Sequence, residues 1–278
     1  MRSQRIPMTW EEWERMPWRF GWKHEYWDGC AHITPRHNHV YVRVRVAPRP
    51  SLVVPHITLR TVGEQDAEEL IAAFIETFED GVEFCDWRTE KIHEHARRNI
   101  TDFFAGRRGA PHTATRVAIS TADAATDDGT GGVRPSAMLA AALFTRRHDA
   151  VALDLLMVRP GRRRKGLASL LVGSAMNDLH AAGETLLRSE HHVANEESAA
   201  WHRAFGFEEE PDLHLASLRR SFFYHEMTRR EACGAAEPPE YAGIVRAYEF
   251  WRARAAELEA VCEREGYEAV TPSMRLDP

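Results

Sequence analysis

The sequence contains little that would cross-link the chain or anchor it in a membrane. Its four cysteines stand far apart in 278 residues and none belongs to a CxxC motif, so we expect neither a disulfide framework nor a zinc knuckle. No apolar run is long enough to span a bilayer, and the first residues lack the apolar segment of a signal peptide. These absences predict a cytoplasmic protein with reduced thiols and no membrane partner.

Positive charge is not in excess either. The formal net charge is −6 at pH 7, which gives no general attraction to nucleic acid, and we expect no nucleic-acid partner. With 44% hydrophobic and 28% charged residues, the composition is that of a globular protein that buries a core.

Three segments differ in character and predict an α/β (α+β) protein. Residues 1–55 hold five of the eight tryptophans and are predicted to form a short helix, a hairpin at Asp28-Gly29 and an alternating strand. Residues 56–230 are predicted to alternate strands and helices, with a flexible loop at 122–136 and a last strand near Phe222–Met227. Residues 231–278 contain one long helix.

That helix has an apolar seam with a 4-3-4-3-4 spacing, which is typical of a packed amphipathic helix. We expect the seam to pack on its own chain, and a homodimer contact through residues 240–264 is the alternative. The seam consists of Ile244, Tyr248, Trp251, Ala255, Leu258 and Cys262.

The most informative stretch runs from Ala150 to Ala182 as a buried strand, a basic loop and a helix. A helix start offers unpaired backbone N–H groups and partial positive charge, and such a start binds phosphates. Gly166 and Ala168 keep the turn small, while the basic residues 162–165 can pair with phosphate oxygens. The loop lacks the GxxxxGK[ST] and GxGxxG patterns, which disfavours ATP and NAD.

This loop resembles the acetyl-CoA loop of the GCN5-related N-acetyltransferase (GNAT) family, [Q/R]-x-x-G-x-[G/A], through Arg163, Gly166 and Ala168. Downstream, Asn195 and Gly206-Phe207 keep the spacing of the family's N-x-x-A-x-x-x-Y-x-x-x-G-F segment. The resemblance covers roughly residues 57–230.

The resemblance implies a GNAT fold: a mixed, mostly antiparallel sheet that splays between its fourth and fifth core strands and is flanked by helices. It also implies acetyl-CoA as co-substrate and no metal, with the thioester oxygen held by a backbone N–H near Met157 or Val158. The residues implied to bind acetyl-CoA are Met157, Val158, Arg163, Arg164, Lys165, Gly166, Leu167, Ala168 and Asn195.

The proton-transfer residues depart from the family pattern. His202 stands where the family carries the tyrosine that commonly protonates the CoA thiolate. A histidine with a pKa of about 6.5 could donate as imidazolium, hydrogen-bond the thiolate or only cover the helix surface. Glu190 occupies the position of a catalytic glutamate in some family members and is our first choice of base. Asp154, an acid in an apolar strand, is the second, with pairing to an arginine as its structural alternative.

The connection between the first two core helices lines the acceptor side in this family. It contains Glu79, Glu83, Asp86 and Trp87, and an acidic, aromatic lining suits a cationic amine. A solvated loop is the alternative.

The amino-terminal histidines lack the spacing of metal ligands, so we expect no metal site among them. The segment His24-Glu-Tyr-Trp-Asp-Gly with Pro35 and His37 is similar to the opening of the Uma2-like endonuclease family. That family's later aspartate and E-x-K have no counterpart before the core begins. We therefore expect a structural cover or a lid on the acceptor site, not a nuclease.

Together these features predict an acetyl-CoA-dependent N-acetyltransferase that acts on a small-molecule amine. A non-catalytic acyl-CoA sensor or scaffold and an acetyltransferase for protein or peptide amines are the alternatives.

Overall fold

The computed structural model describes residues 2–121, 138–147, 150–235 and 239–272. The chain divides into two compact units, one formed mainly by residues 42–190 and 201–208, the other by residues 2–41, 191–200 and 209–278. The loop predicted at 122–136 lies outside the described residues.

The described elements, in chain order, are β1 (Gln4–Pro7), α1 (Trp10–Arg15), β2 (Trp22–Trp27), β3 (Cys30–Pro35), β4 (His39–Arg45), β5 (Ile57–Thr61), α2 (Ala67–Phe78), α3 (Thr89–Phe104), β6 (Ala110–Pro111), β7 (Arg116–Ser120), β8 (Met138–Arg147), β9 (Ala150–Val158), α4 (Leu167–Ala181), β10 (Leu186–His192), α5 (Glu196–Phe205), β11 (Glu208–Glu209), α6 (Leu213–Ala232) and α7 (Glu240–Glu265).

A mixed sheet forms the centre of the first unit. Its strands follow the order β4-β10-β9-β8-β7-β5, with β6 beside β8 and β11 beside β4. The pairs β5/β7, β7/β8 and β8/β9 are antiparallel and β9/β10 is parallel. This confirms the predicted fold class.

Helices α2 and α3 cover one face of this sheet because their apolar residues recur at helical spacing. Phe74 and Ile100 pack there with Leu143 and Met157 of the strands, and each of the four is at most 2% exposed. Burial of such a side chain contributes about 1.5–3 kcal/mol, so this layer fixes the strands that lead to the site.

Strand β4 belongs to the core sheet, which the sequence did not predict. Val42 and Val44 are buried while Arg43 and Arg45 are exposed, which is the period-two pattern of a half-buried strand. The N–H of Val46 donates to the carbonyl of Thr185 at 3.0 Å. The strand lies next to β10 in the sheet.

The strand predicted near Phe222–Met227 is wrong, because these residues belong to helix α6. The helix starts at an N-cap aspartate, Asp212, whose carboxylate accepts from the N–H of Leu215 at 3.0 Å. Aromatic residues at 222–224 resemble a strand locally, but Leu215, Ala216 and Glu226 are buried at helical spacing.

The second unit contains the sheet β1-β3-β2 and the helices α1, α6 and α7. The predicted hairpin turn is present, with Asp28 and Gly29 at φ 53° and 66°, as a type I′ turn requires. The short helix α1 starts at a capping box formed by Thr9 and Glu12.

The apolar seam of α7 packs within the chain, as predicted. Ala255 and Leu258 form a buried cluster with Ala216 and Val270. A homodimer through residues 240–264 stays a prediction. Among the described residues, no helix has the length and apolar character needed to cross a bilayer.

Candidate active site

The basic loop leads into helix α4 through a glycine with a left-handed backbone. Gly166 is the N-cap residue at φ 79°, ψ 2°, and a Cβ built there would have no atom within 4 Å. The first turn of α4 begins at Leu167, so its unpaired N–H groups follow directly. Space, N–H donors and partial positive charge coincide here, which fits a pyrophosphate group.

Two arginines of the loop anchor it to helix α2. Arg163 Nη2 donates to the Thr77 carbonyl at 2.8 Å, and Arg159 pairs with Glu76. Arg162, Arg164 and Lys165 are exposed. Arg164 also adopts a left-handed φ of 59°, which is strained for a residue with a side chain.

The pairing between β9 and β10 ends before the middle of β9. Their pairing runs from Val151↔Leu187 to Leu153↔Ser189, although β9 continues to Val158. On the other side of β9, the register with β8 shifts so that Leu143 faces Leu155 and Phe144 faces Leu153. Asp154 is therefore the bulged residue, and a bulge bends a strand.

A buried hydroxyl–imidazole pair lies at the end of the paired region. Ser189 Oγ and His202 Nε2 are 3.0 Å apart, and the two residues are 2% and 4% exposed. The neighbouring Trp201 Nε1 donates to Ser169 Oγ in the first turn of α4 at 3.3 Å. His202 thus contacts β10 through Ser189, and its neighbour Trp201 contacts helix α4 through Ser169.

Asp154 is held by two arginines, the alternative that its sequence setting had left open. Its side chain is fully buried and accepts from Arg108 Nε at 2.8 Å and Nη2 at 3.1 Å. Arg147 of β8 also pairs with it. Both oxygens of the Asp154 carboxylate therefore accept charge-assisted hydrogen bonds from arginines.

Glu190 follows Ser189 and lies near Arg108. The negative charge of Glu190 helps to raise the pKa of the Arg108 guanidinium, although burial opposes the shift and the hydrogen bond to Asp154 contributes more. Asp154, Arg108 and Arg147 therefore form a cluster where the β9/β10 pairing ends, and Glu190 acts on Arg108 electrostatically. Sequence reasoning missed both arginines and did not assign a role to Ser189.

This arrangement of strand, bulge, loop and helix agrees with the comparison to known families. Residues 124–207 match the model of the acetyltransferase (GNAT) family. This stretch is a GNAT acetyltransferase domain. The match covers under a third of the chain, and no curated protein matches it.

Several solved GNAT structures are similar to the chain. A GCN5-related N-acetyltransferase from Sphaerobacter thermophilus is 14% identical with a TM-score of 0.44, over 62% of this chain and 48% of that one. The chain thus spans about half the length of that protein.

Two shorter enzymes are similar as well. The PaiA N-acetyltransferase of Thermoplasma acidophilum, solved with coenzyme A, is 18% identical with a TM-score of 0.40, over 56% of this chain and 91% of that one. The ribosomal-protein-S18-alanine N-acetyltransferase of Escherichia coli is 17% identical with a TM-score of 0.38, over 55% of this chain and 79% of that one.

Three more residues were predicted to bind acetyl-CoA. Met157 is fully buried and Val158 is half-buried, and both lie in the part of β9 beyond its pairing with β10. Asn195 caps α5, since its Oδ1 accepts from the N–H of Ser198 at 2.9 Å.

The predicted acceptor segment surrounds an aromatic cluster. Trp87 and Phe84 lie 5.0 Å apart between ring centroids, and His95 of α3 contacts both. Lys91 Nζ lies 3.8 Å from the centre of the Trp87 ring. Glu79 and Asp86 are exposed and Glu83 is half-buried.

The amino-terminal histidines do not converge on one point. His37 and His39 line a cavity of about 290 Å³ in the second unit, together with Asp212 and His214. Across the described ranges, no three histidine, cysteine or acidic side chains are placed to hold a metal ion.

Proposed function

We propose that the chain is an acetyl-CoA-dependent N-acetyltransferase that acts on an amine of a small molecule. The observation that carries this proposal is that the β9/β10 pairing ends next to the Asp154 bulge, on the strand that leads directly into the open helix start at Gly166. A slot between two strands accommodates a narrow thioester arm, and the helix start at Gly166 accommodates its phosphates.

In this proposal, the N–H groups of the first turn of α4 and the exposed Arg164 and Lys165 bind the pyrophosphate. Arg163 supports the loop through its bond to Thr77. A backbone N–H at Met157 or Val158, beyond the paired part of β9, holds the thioester oxygen, where oxyanion stabilisation lowers the barrier.

Acetyl-CoA supplies an activated acyl group. The amine nitrogen forms a bond to the acyl carbon while the carbon–sulfur bond breaks. One proton leaves the nitrogen, and one is taken up by the sulfur. Glu190, directly or through a water, is suited to accept the first, because a lysine-like amine has a pKa of about 10 and must be deprotonated.

His202 is the proposed donor of the second proton. Its Nε2 lies 3.0 Å from Ser189 Oγ, so this hydroxyl can relay a proton or fix the orientation of the ring. Asp154 is less suited to act as a base, since both of its oxygens accept from arginines. Its proposed role is to position Arg108.

Two variants test this assignment. We expect Glu190→Gln and His202→Phe each to lower kcat by at least about tenfold, which is the lower range for loss of a general acid or base. Both proteins should still be stabilised by acetyl-CoA. Thiol release with a panel of amines measures turnover. If neither substitution alters turnover with any accepted amine, the assignment is wrong.

A non-catalytic acyl-CoA-binding protein is the second candidate, favoured by the buried histidine at the position of the family's tyrosine. It predicts acetyl-CoA binding without thiol release from any acceptor in either wild type or variant.

A further inference from the structure

The guanidinium group of Arg108 has a second edge beyond the one described above. Its pairing with Asp154 uses Nε and Nη2, so Nη1 points away from that carboxylate. The side chain keeps 25% of its surface exposed, whereas the side chain of Asp154 has none. An arginine held in this way presents a fixed, partly accessible donor edge.

This edge lies beside the predicted base. Asp154 and Glu190 are the next residues after the last β9/β10 pair, Leu153↔Ser189, and Glu190 is electrostatically coupled to Arg108. A substrate whose amine faces Glu190 therefore has its neighbouring atoms near the Arg108 guanidinium.

Positive charge also surrounds the aromatic cluster of the acceptor segment. Burial and the charges of Arg98, Arg108 and Lys91 lower the pKa of His95, and the ammonium of Lys91 already covers one face of Trp87. A polycation would meet repulsion here. These cations lie beside the predicted acidic lining, and they favour an anion close to the amine.

We propose that the acceptor carries a carboxylate next to its amine, as an α-amino acid does, and that Arg108 binds this carboxylate while Glu190 faces the amine. A bidentate arginine–carboxylate pair would then orient the nitrogen. This inference rests on the proposed acetyltransferase function.

Matched acceptors test the inference on the full-length wild-type protein. The pairs differ by one carboxylate: phenylalanine and phenethylamine, histidine and histamine, arginine and agmatine. Thiol release from acetyl-CoA gives kcat/KM for each. We expect every accepted amino acid to exceed its decarboxylated partner by at least about tenfold, the range of one charged hydrogen bond.

Arg108→Gln should remove that preference, because it should raise KM for the amino acid at least about tenfold more than KM for the decarboxylated amine. Arg107→Gln is the matched control, because Arg107 pairs with Asp102 at the surface and should leave the preference intact. Thermal unfolding verifies that Arg108→Gln is folded. If the variant is not folded, the inference is tested by comparing each amino acid with its decarboxylated amine on the wild-type protein.

The outcomes separate the two proposals. Thiol release that is equal or faster with the decarboxylated amines overturns the amino-acid inference and leaves the acetyltransferase intact. A preference that survives in a folded Arg108→Gln protein also overturns the role of Arg108. No thiol release with any acceptor overturns the acetyltransferase function, and the inference with it.

Discussion

Gly166 gives the sharpest test of the co-substrate site. Its φ of 79° lies in the left-handed region, where a residue with a Cβ costs roughly 1–2 kcal/mol. A Cβ itself would meet no atom within 4 Å, so the cost of a substitution comes mainly from the left-handed backbone conformation. For a chain of this size, 1 kcal/mol corresponds to roughly 2–4 °C in Tm. Gly166→Ala and Gly166→Glu should therefore both lower the Tm of the free protein by a few degrees.

The two variants should differ once acetyl-CoA is added. A ligand at a hundred times its Kd stabilises a protein by about 2.7 kcal/mol, or roughly 5–10 °C at the same conversion. Gly166→Ala should retain most of this shift, because alanine leaves the helix N–H groups open. Gly166→Glu should lose it, because its carboxylate occupies the phosphate position and repels the ligand's charge.

Thermal unfolding with and without acetyl-CoA measures both effects in one experiment. A full acetyl-CoA shift in Gly166→Glu would refute the assignment of the loop as the phosphate site. Equal loss of the shift in both variants would show that backbone distortion, not occupancy by the carboxylate, is responsible.

Two further predictions concern stability. Asp154→Ala removes the buried partner of Arg108 and Arg147 and should lower the free energy of unfolding by about 3–5 kcal/mol. Asp102→Ala breaks a more exposed pair and should change the free energy of unfolding by at most about 1 kcal/mol. Urea denaturation measures both variants, and similar losses would contradict the reasoning. Burial lowers the pKa of His24 from 6.5 to about 4, so the unfolded state binds a proton at this residue more readily than the folded state. The free energy of unfolding should therefore fall as the pH drops from 6.5 toward 4, by at most about 3 kcal/mol from this residue. His24→Phe should show a shallower decline in Tm over that range, and an unchanged slope would refute the assignment.

The sequence predicted the elements around the site closely because their local patterns agree with the fold. Strand β9 is an apolar run that ends before a proline, and it begins at Ala150, where the strand was predicted to begin. Helix α4 starts where the small residues and the apolar periodicity begin. In both elements, local propensity and burial point to the same structure.

The partners of the site residues could not be predicted in the same way. Arg108 lies 46 positions before Asp154, and its contact depends on the register of β8 on β9 and on the turn after α3. The bulge at Asp154 shifts that register by one residue, and the sequence of a single apolar strand does not predict a bulge. The misassigned strand near Phe222–Met227 has another cause: its aromatic residues resemble a strand locally, whereas the segment is part of helix α6.

The two arginine anchors connect the basic loop to the acceptor segment. Arg163 and Arg159 join the loop to Thr77 and Glu76 in the last turns of α2, and the acceptor segment begins at Glu79, the residue that follows that helix. Under the proposed function, a shift of the loop on binding phosphate would act on the start of that segment through the end of α2. The affinities for acetyl-CoA and for the acceptor would then be linked, and by reciprocity each would change the other by the same factor.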